Sequence, residues 1–147
     1  MSKLLTGGCQ CGRVRYSARI ESDEAGLCHC RMCRRATGGF AAAIVQVHPT
    51  AVSWERPPDA WQSSPIARRL FCSQCGSPLG YATLDGEDMD LMLGSFDAPC
   101  TFVPVAHGGA ESMLEAWLDT SALPRYRTEA IAGTVARWQG AGLEVPE

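Results

Sequence analysis

Residues 12–20 alternate between two kinds of side chain. Val14, Tyr16, Ala18 and Ile20 fall on one parity, and Arg13, Arg15, Ser17 and Arg19 on the other. A period of two over this length predicts a half-buried β-strand. Residues 41–47 are small and apolar and turn β-branched near their end, which predicts a second strand; residues 51–54 predict a third. Residues 55–59 carry paired prolines and form a loop, since proline supplies no ladder donor. Residues 68–72 and 79–84 read as two arms of a hairpin around Cys72-Ser73-Gln74-Cys75-Gly76, and residues 90–93 as a further strand leading into a turn at 94–97. Only residues 125–138 carry a helical period, and it is weak. The pattern is mostly β, with short helices only.

Composition agrees with that pattern. The chain has 147 residues, a length suited to one domain over 1–147 with a core of its own. Its 15 glycines and 9 prolines favour turns and short strands over long helices. With 13 Lys and Arg against 16 Asp and Glu, the formal net charge of -3 opposes attraction to nucleic acid or to an anionic membrane. No apolar run approaches the ~20 residues that span a bilayer, and the apolar part of the opening residues is too short for a secretory signal. A cytoplasmic protein is expected.

In a reducing compartment thiols stay reduced, so the eight cysteines point to metal or redox chemistry and away from a disulfide framework. Cys9-Gln10-Cys11-Gly12 places two thiols on one side of an extended segment. Cys72-Ser73-Gln74-Cys75-Gly76 has the two-residue spacing of a knuckle turn, followed by a glycine that accepts positive φ. Together the pairs make a closed, structural four-thiolate zinc site of Cys9, Cys11, Cys72 and Cys75.

Cys28-His29-Cys30-Arg31-Met32-Cys33 differs in kind. It offers three thiolates and no evident fourth ligand, and a zinc ion with three protein ligands keeps a position open for water or substrate. Two zinc ions per chain are therefore expected, the second open to partial occupancy. His29 points away from Cys28 and Cys30 if the segment is extended. Cys100 is expected as a packed core thiol. Arg31, Arg34 and Arg35 crowd this cluster in an otherwise acidic chain. They either bind an anionic ligand or form a solvated face.

Three segments together resemble the glutathione-dependent formaldehyde-activating enzyme family, also called the centromere protein V family. They are Gly8-Cys9-Gln10-Cys11-Gly12-Arg13-Val14-Arg15-Tyr16, Cys28-His29-Cys30-Arg31-Met32-Cys33-Arg34-Arg35-Ala36-Thr37-Gly38 and Phe71-Cys72-Ser73-Gln74-Cys75-Gly76-Ser77-Pro78-Leu79. The likeness runs over about residues 4–126. It loosens after Pro104-Val105-Ala106-His107, where Gly108-Gly109-Ala110-Glu111 departs from an apolar, Trp-containing strand, and the tail 127–147 lies outside it. The resemblance implies an Mss4-like fold, small folded antiparallel sheets pinned by zinc. It implies Cys9, Cys11, Cys72 and Cys75 as structural ligands and Cys28, Cys30 and Cys33 as ligands of the reactive zinc. It also implies a carbon–sulfur lyase-type reaction joining glutathione to formaldehyde.

A zinc already holding three thiolates is a feeble Lewis acid toward a carbonyl but suits a fourth thiolate. A free thiol of pKa ~8.5 is only ~3% ionised at pH 7, so complete deprotonation raises its reactive fraction at most ~30-fold. Coordination blunts some of that gain. Glutathione's two carboxylates find candidate anchors in Arg31, Arg34, Arg35 or the Arg68-Arg69 pair, and His107 is a candidate proton carrier. Two other classes stay open: a binding or interaction module whose two metal sites are both structural, and a four-cysteine iron centre for electron transfer.

Overall fold

The computed structural model describes residues 1–146. Among the described residues ten strands and two short α-helices follow one another. They are β1 (Lys3–Gly8), β2 (Arg15–Ile20), β3 (Glu24–Cys28), α1 (Arg31–Thr37), β4 (Ala42–Val47) and β5 (Val52–Trp54). After these come β6 (Asp59–Gln62), β7 (Ala67–Phe71), β8 (Pro78–Thr83), β9 (Met89–Met92), β10 (Val103–Gly108) and α2 (Ala132–Gly140). The chain divides into two compact units, residues 1–114 and 115–147.

Two sheets build the first unit. One has three strands in the order β1-β2-β5, and the other has seven in the order β10-β3-β4-β9-β8-β7-β6. All pairings are antiparallel except that of β10 with β3, which is parallel, so the larger sheet is mixed where antiparallel sheets were expected. The alternation in residues 12–20 is borne out. Val14, Tyr16, Ala18 and Ile20 are buried and the intervening side chains are not. They meet Val45, Leu79 and Leu91 of the larger sheet in one core. Each Val, Ile or Leu among them contributes about 1.5–3 kcal/mol on leaving water, before the entropy of ordering it is set against the gain.

Gly7 fixes how closely β1 approaches the 3₁₀ turn Leu93–Ser95 that follows β9. A Cβ there would lie 2.4 Å from the Ser95 carbonyl and 2.4 Å from the Tyr16 hydroxyl, so no larger residue fits. In the space so kept, the Tyr16 and Ser95 hydroxyls pair at 2.7 Å, and the Tyr16 ring packs edge-on to Trp54 and Phe96. Burial pushes the Tyr16 phenol up to about 12, so it stays neutral in the core.

Asp97 ties the same seam from the surface. Its carboxylate takes a bidentate pair from Arg15 and a hydrogen bond from the Thr6 hydroxyl. Arg15 first, then Thr6, holds its pKa down at about 2. A folded-state value below the ordinary 3.8 means the contribution is complete above about pH 4 and drains away as the pH falls towards 2. The Asp97→Asn protein should therefore lose less of its urea midpoint than wild type between pH 5 and pH 2.5. An equal loss in both would show that this ion pair carries none of the acid sensitivity.

Among its described residues the second unit holds two short 3₁₀ turns, Glu115–Trp117 and Thr128–Ala130, and α2. None of its described residues is buried. The expected helix over 125–138 is shorter and later, because Ile131 leaves helical geometry (ψ 86°) ahead of α2. No helix among the described residues is long and apolar enough to cross a membrane.

Candidate metal centres and the adjoining cleft

The four-thiol cluster joins the two sheets. Cys9 and Cys11 follow β1 of the smaller sheet, and Cys72 and Cys75 follow β7 of the larger. Their sulfurs lie within 4.8 Å of one another, with Cys9 Sγ 3.5 Å from Cys11 Sγ and Cys11 Sγ 3.8 Å from Cys72 Sγ. Zinc–thiolate bonds of about 2.3 Å in a tetrahedron set sulfurs about 3.8 Å apart, so the donor set fits that ion in kind and in spacing.

Local hydrogen bonds shape both knuckles. The Val14 amide donates to Cys9 Sγ at 3.2 Å, and the Gly76 amide closes its turn on the Cys72 carbonyl at 2.7 Å. Arg13 Nη1 reaches Cys72 Sγ at 3.8 Å and Asp59 at 2.8 Å, and the same carboxylate receives the Ser73 amide at 2.8 Å. Asp59 thus holds Arg13 against the knuckle, and the Ser73 amide, then Arg13, keeps its pKa down at about 2. Crowding spreads the thiols' acidities. The Ser77 hydroxyl and amide draw Cys75 down to about 5. The Arg13 amide favours the Cys11 thiolate, yet burial and the neighbouring thiols drive Cys11 up to about 11.

The three-thiol cluster sits where β3 ends and α1 begins. Cys28 is the last residue of β3, Cys30 is the N-cap of α1, and Cys33 lies in its first turn. Their sulfurs also lie within 4.8 Å of one another. Cys30 Sγ accepts the Cys33 amide at 3.3 Å, so a ligand candidate doubles as the helix cap, and Gly38 (φ 75°) ends the helix by donating to the Arg34 carbonyl. No helical period in the sequence marks this seven-residue helix. Burial pushes the Cys33 thiol up, against the pull of Arg69.

His29 is wholly buried and turned away from the trio. Its Nε2 pairs with His107 Nδ1 at 2.9 Å, and its amide donates to the Gly108 carbonyl at 2.9 Å. Its Nδ1 has no partner among the described residues. Cys100 belongs to neither cluster. It is exposed on the 3₁₀ turn Pro99–Thr101, which corrects the expectation of a packed core thiol. A proline and the turn keep that side chain outside the sheets.

Arg31, Arg34 and Arg35 all lie on α1, the first and last exposed and Arg34 half-buried. The arginine that touches the trio is Arg69 of β7. It is only 7% exposed, its Nη2 donates to Cys33 Sγ at 3.3 Å, and its guanidinium lies 4.9 Å from the centre of the Tyr81 ring. Its Nη1 has no partner among the described residues. Leaving a buried donor unsatisfied costs on the order of 1–3 kcal/mol, and more when it is charged. Asp90 of β9 feels Arg69 electrostatically but does not take that amino group, and burial raises its own pKa. Strand alternation shows that Arg68 and Arg69 face opposite ways; the sequence does not say which faces in.

Beside the trio a cleft of about 300 Å³ opens between α1 and the β7–β8 arms, lined by Ala36, Thr37, Trp61, Arg69, Leu70, Phe71, Gly76, Pro78, Gly80 and Met92. Met92 and Arg69 connect it to the cluster, since Met92 packs with Cys33 and Arg69 bonds to it. A second, more polar cleft of about 620 Å³ shares Thr37, Pro78 and Met92 with the first.

Comparison with known proteins accords with this arrangement. The sequence profile of a family described as glutathione-dependent formaldehyde-activating enzyme matches residues 4–112. A curated protein of Schizosaccharomyces pombe, described as an uncharacterized lyase, is 30% identical over 82 residues. That match covers 56% of this chain and 60% of the relative's length. A crystal structure of a Rhodobacter sphaeroides protein superposes with a TM-score of 0.58 at 20% identity, over 70% of this chain and 99% of that one. At that identity the likeness speaks for the fold alone.

Proposed function

The chain belongs to the glutathione-dependent formaldehyde-activating enzyme family, and from that membership we propose that it joins a small thiol to a small aldehyde beside Cys28, Cys30 and Cys33. In the forward direction the thiol sulfur bonds to the aldehyde carbon. The carbonyl π pair moves to oxygen, which takes up the proton the thiol gave up, and the product is a hemithioacetal, the S-hydroxymethyl derivative of the thiol when formaldehyde is the aldehyde. The reverse step is carbon–sulfur lyase chemistry. The observation that carries this reading is the contrast between the two clusters. Four thiols make a closed donor set, while three leave a position to fill, and Arg69 and Met92 link the trio to the neighbouring cleft.

Zinc held by Cys28, Cys30 and Cys33 would supply a position at which a fourth sulfur is kept as thiolate at neutral pH. The rest falls to the chain. Arg69 sets a permanent positive charge against Cys33, which offsets negative charge gathering at the trio. Tyr81 holds the guanidinium in place through its ring face. Met92 and Ala42 pack against Cys33 and exclude water from that side. His29 and His107 fix the backbone between Cys28 and Cys30, and no substrate contact is assigned to either. The more polar adjoining cleft has room for a tripeptide thiol such as glutathione.

Metal-loaded protein should accelerate hemithioacetal formation from glutathione and formaldehyde over the uncatalysed rate, and Cys30→Ser should abolish the acceleration. Thiolate supply accounts for at most ~30-fold; a larger factor reports orientation of the aldehyde. No acceleration, with a second metal that takes no exogenous thiol, would favour a binding module with two structural sites.

A further inference from the structure

The cleft that Arg69 and Met92 connect to the three-thiol cluster is poorly matched to a tripeptide. Glutathione brings two carboxylates, an ammonium and two amides, whereas Arg69 is the only charged side chain among the described residues lining this cleft. Leu70, Phe71, Pro78 and Met92 supply most of the rest, with Trp61, 63% exposed, at the mouth. Its volume, about 300 Å³, is roughly ten times the ~30 Å³ share of one water molecule and stands at the small end of ligand sites. Such walls suit an apolar body with a single negative charge.

Arg69 fixes where that charge goes. Arg69 lines the cleft, is more than nine-tenths buried, and has Nη1 unpartnered among the described residues. A carboxylate entering the cleft would take up that amino group in a charge-assisted bond. Nη1 itself is covered, so the contact needs a small rotation of the guanidinium or of a lining side chain, a change common on binding. The same guanidinium already bonds Cys33 Sγ through Nη2 at 3.3 Å. A carboxylate on Arg69 therefore stands close to the trio, and a thiol belonging to the same ligand reaches the trio only across one or two carbons.

We propose that this cleft selects a compact thiol carboxylate with an apolar body, its carboxylate on Arg69, its thiol at the Cys28–Cys30–Cys33 end and its body against Trp61. The assignment of the thiol end rests on the reaction proposed above; the carboxylate and apolar subsites rest on Arg69 and the cleft alone.

Calorimetry on the zinc-loaded protein tests it with four probes: 2-mercapto-3-phenylpropanoate, 3-phenylpropanoate (no thiol), 2-phenylethanethiol (no carboxylate) and 3-mercaptopropionate (no apolar body). The first should bind tightest, and loss of the carboxylate should weaken binding about tenfold, the scale of one charge-assisted bond. Arg69→Gln should bring the ratio of 2-mercapto-3-phenylpropanoate to 2-phenylethanethiol to about one. Because Arg69 is buried and its replacement can harm folding, Trp61→Ala serves as the second variant. It should weaken 2-mercapto-3-phenylpropanoate about fivefold, the scale of a lost aromatic contact, and leave 3-mercaptopropionate unchanged. Equal affinity for carboxylated and decarboxylated thiols in wild type, or no effect of Trp61→Ala, overturns the proposal. If 3-phenylpropanoate binds in an Arg69- and Trp61-dependent way while no thiol adds to any aldehyde, the cleft stands and the proposed reaction falls. If glutathione and formaldehyde turn over while none of the acids binds, the reaction stands and this selection falls.

Discussion

The Cys72→Ser protein is expected to be largely unfolded, or to melt far below wild type, while Cys28→Ser keeps a folded β spectrum and a melting temperature near that of wild type. Cys72 is fully buried, and its sulfur faces thiols from the other sheet. Removing one of four ligands weakens a site whose metal-binding free energy is folding free energy, about 10–16 kcal/mol for structural zinc in small domains. A whole domain has only about 5–15 kcal/mol in hand, so the loss is of the order of the total. The substitution also withdraws the sulfur that faces Arg13, leaving the Arg13–Asp59 pair against a smaller, harder oxygen. Cys28 stands elsewhere in the energetics. It is half-buried at the end of one strand, in a cluster whose sulfurs all come from residues 28–33, and no second sheet depends on it. Circular dichroism melts with metal content per chain decide the matter. If Cys28→Ser unfolds the chain as badly as Cys72→Ser does, the division into a structural and a reactive cluster is wrong.

Much of this was legible because buried, alternating strands write themselves into sequence. Val14, Tyr16, Ala18 and Ile20 mark β2 by parity, and the β7–β8 hairpin shows through its knuckle. The strands that escaped notice lie mainly at edges. β6 and β10 end the seven-stranded sheet and β1 flanks the smaller one, and none of the three presents a continuous buried face. Their place comes from ladder hydrogen bonds to a neighbour, which leave no hydrophobic period behind. Helix α1 escaped for a different reason. Its cap is a cysteine, an unusual N-cap residue, and the cysteine spacing read equally well as an extended segment. The thiol clusters were legible as spacings. Arg69 was not singled out, because only the packing of β7 against Tyr81 and Cys33 decides which of two adjacent arginines is buried.

The Gly108-Gly109 pair supplies the other large effect. Gly109 sits in the left-handed region (φ 61°, ψ 38°) just past β10. A Cβ there would lie 2.9 Å from the Cys30 amide nitrogen and 3.4 Å from its Cα and Cβ, so backbone, not a flexible side chain, blocks it. Left-handed geometry alone costs an alanine about 1–2 kcal/mol, and displacing Cys30 adds to that. Gly109→Ala should therefore destabilise the protein by about 2–4 kcal/mol. Because Cys30 carries both a thiol of the trio and the cap of α1, the variant should also lose metal from the three-thiol cluster while the four-thiol cluster keeps its own. The control is one residue away. A Cβ on Gly108 meets nothing nearer than the Leu27 carbonyl at 3.9 Å, an ordinary contact, so Gly108→Ala should be mild. Metal content beside a urea melt reads both variants. If Gly109→Ala matches Gly108→Ala, or keeps its full metal complement, then the close approach of Gly109 to Cys30 does not set the geometry of the trio.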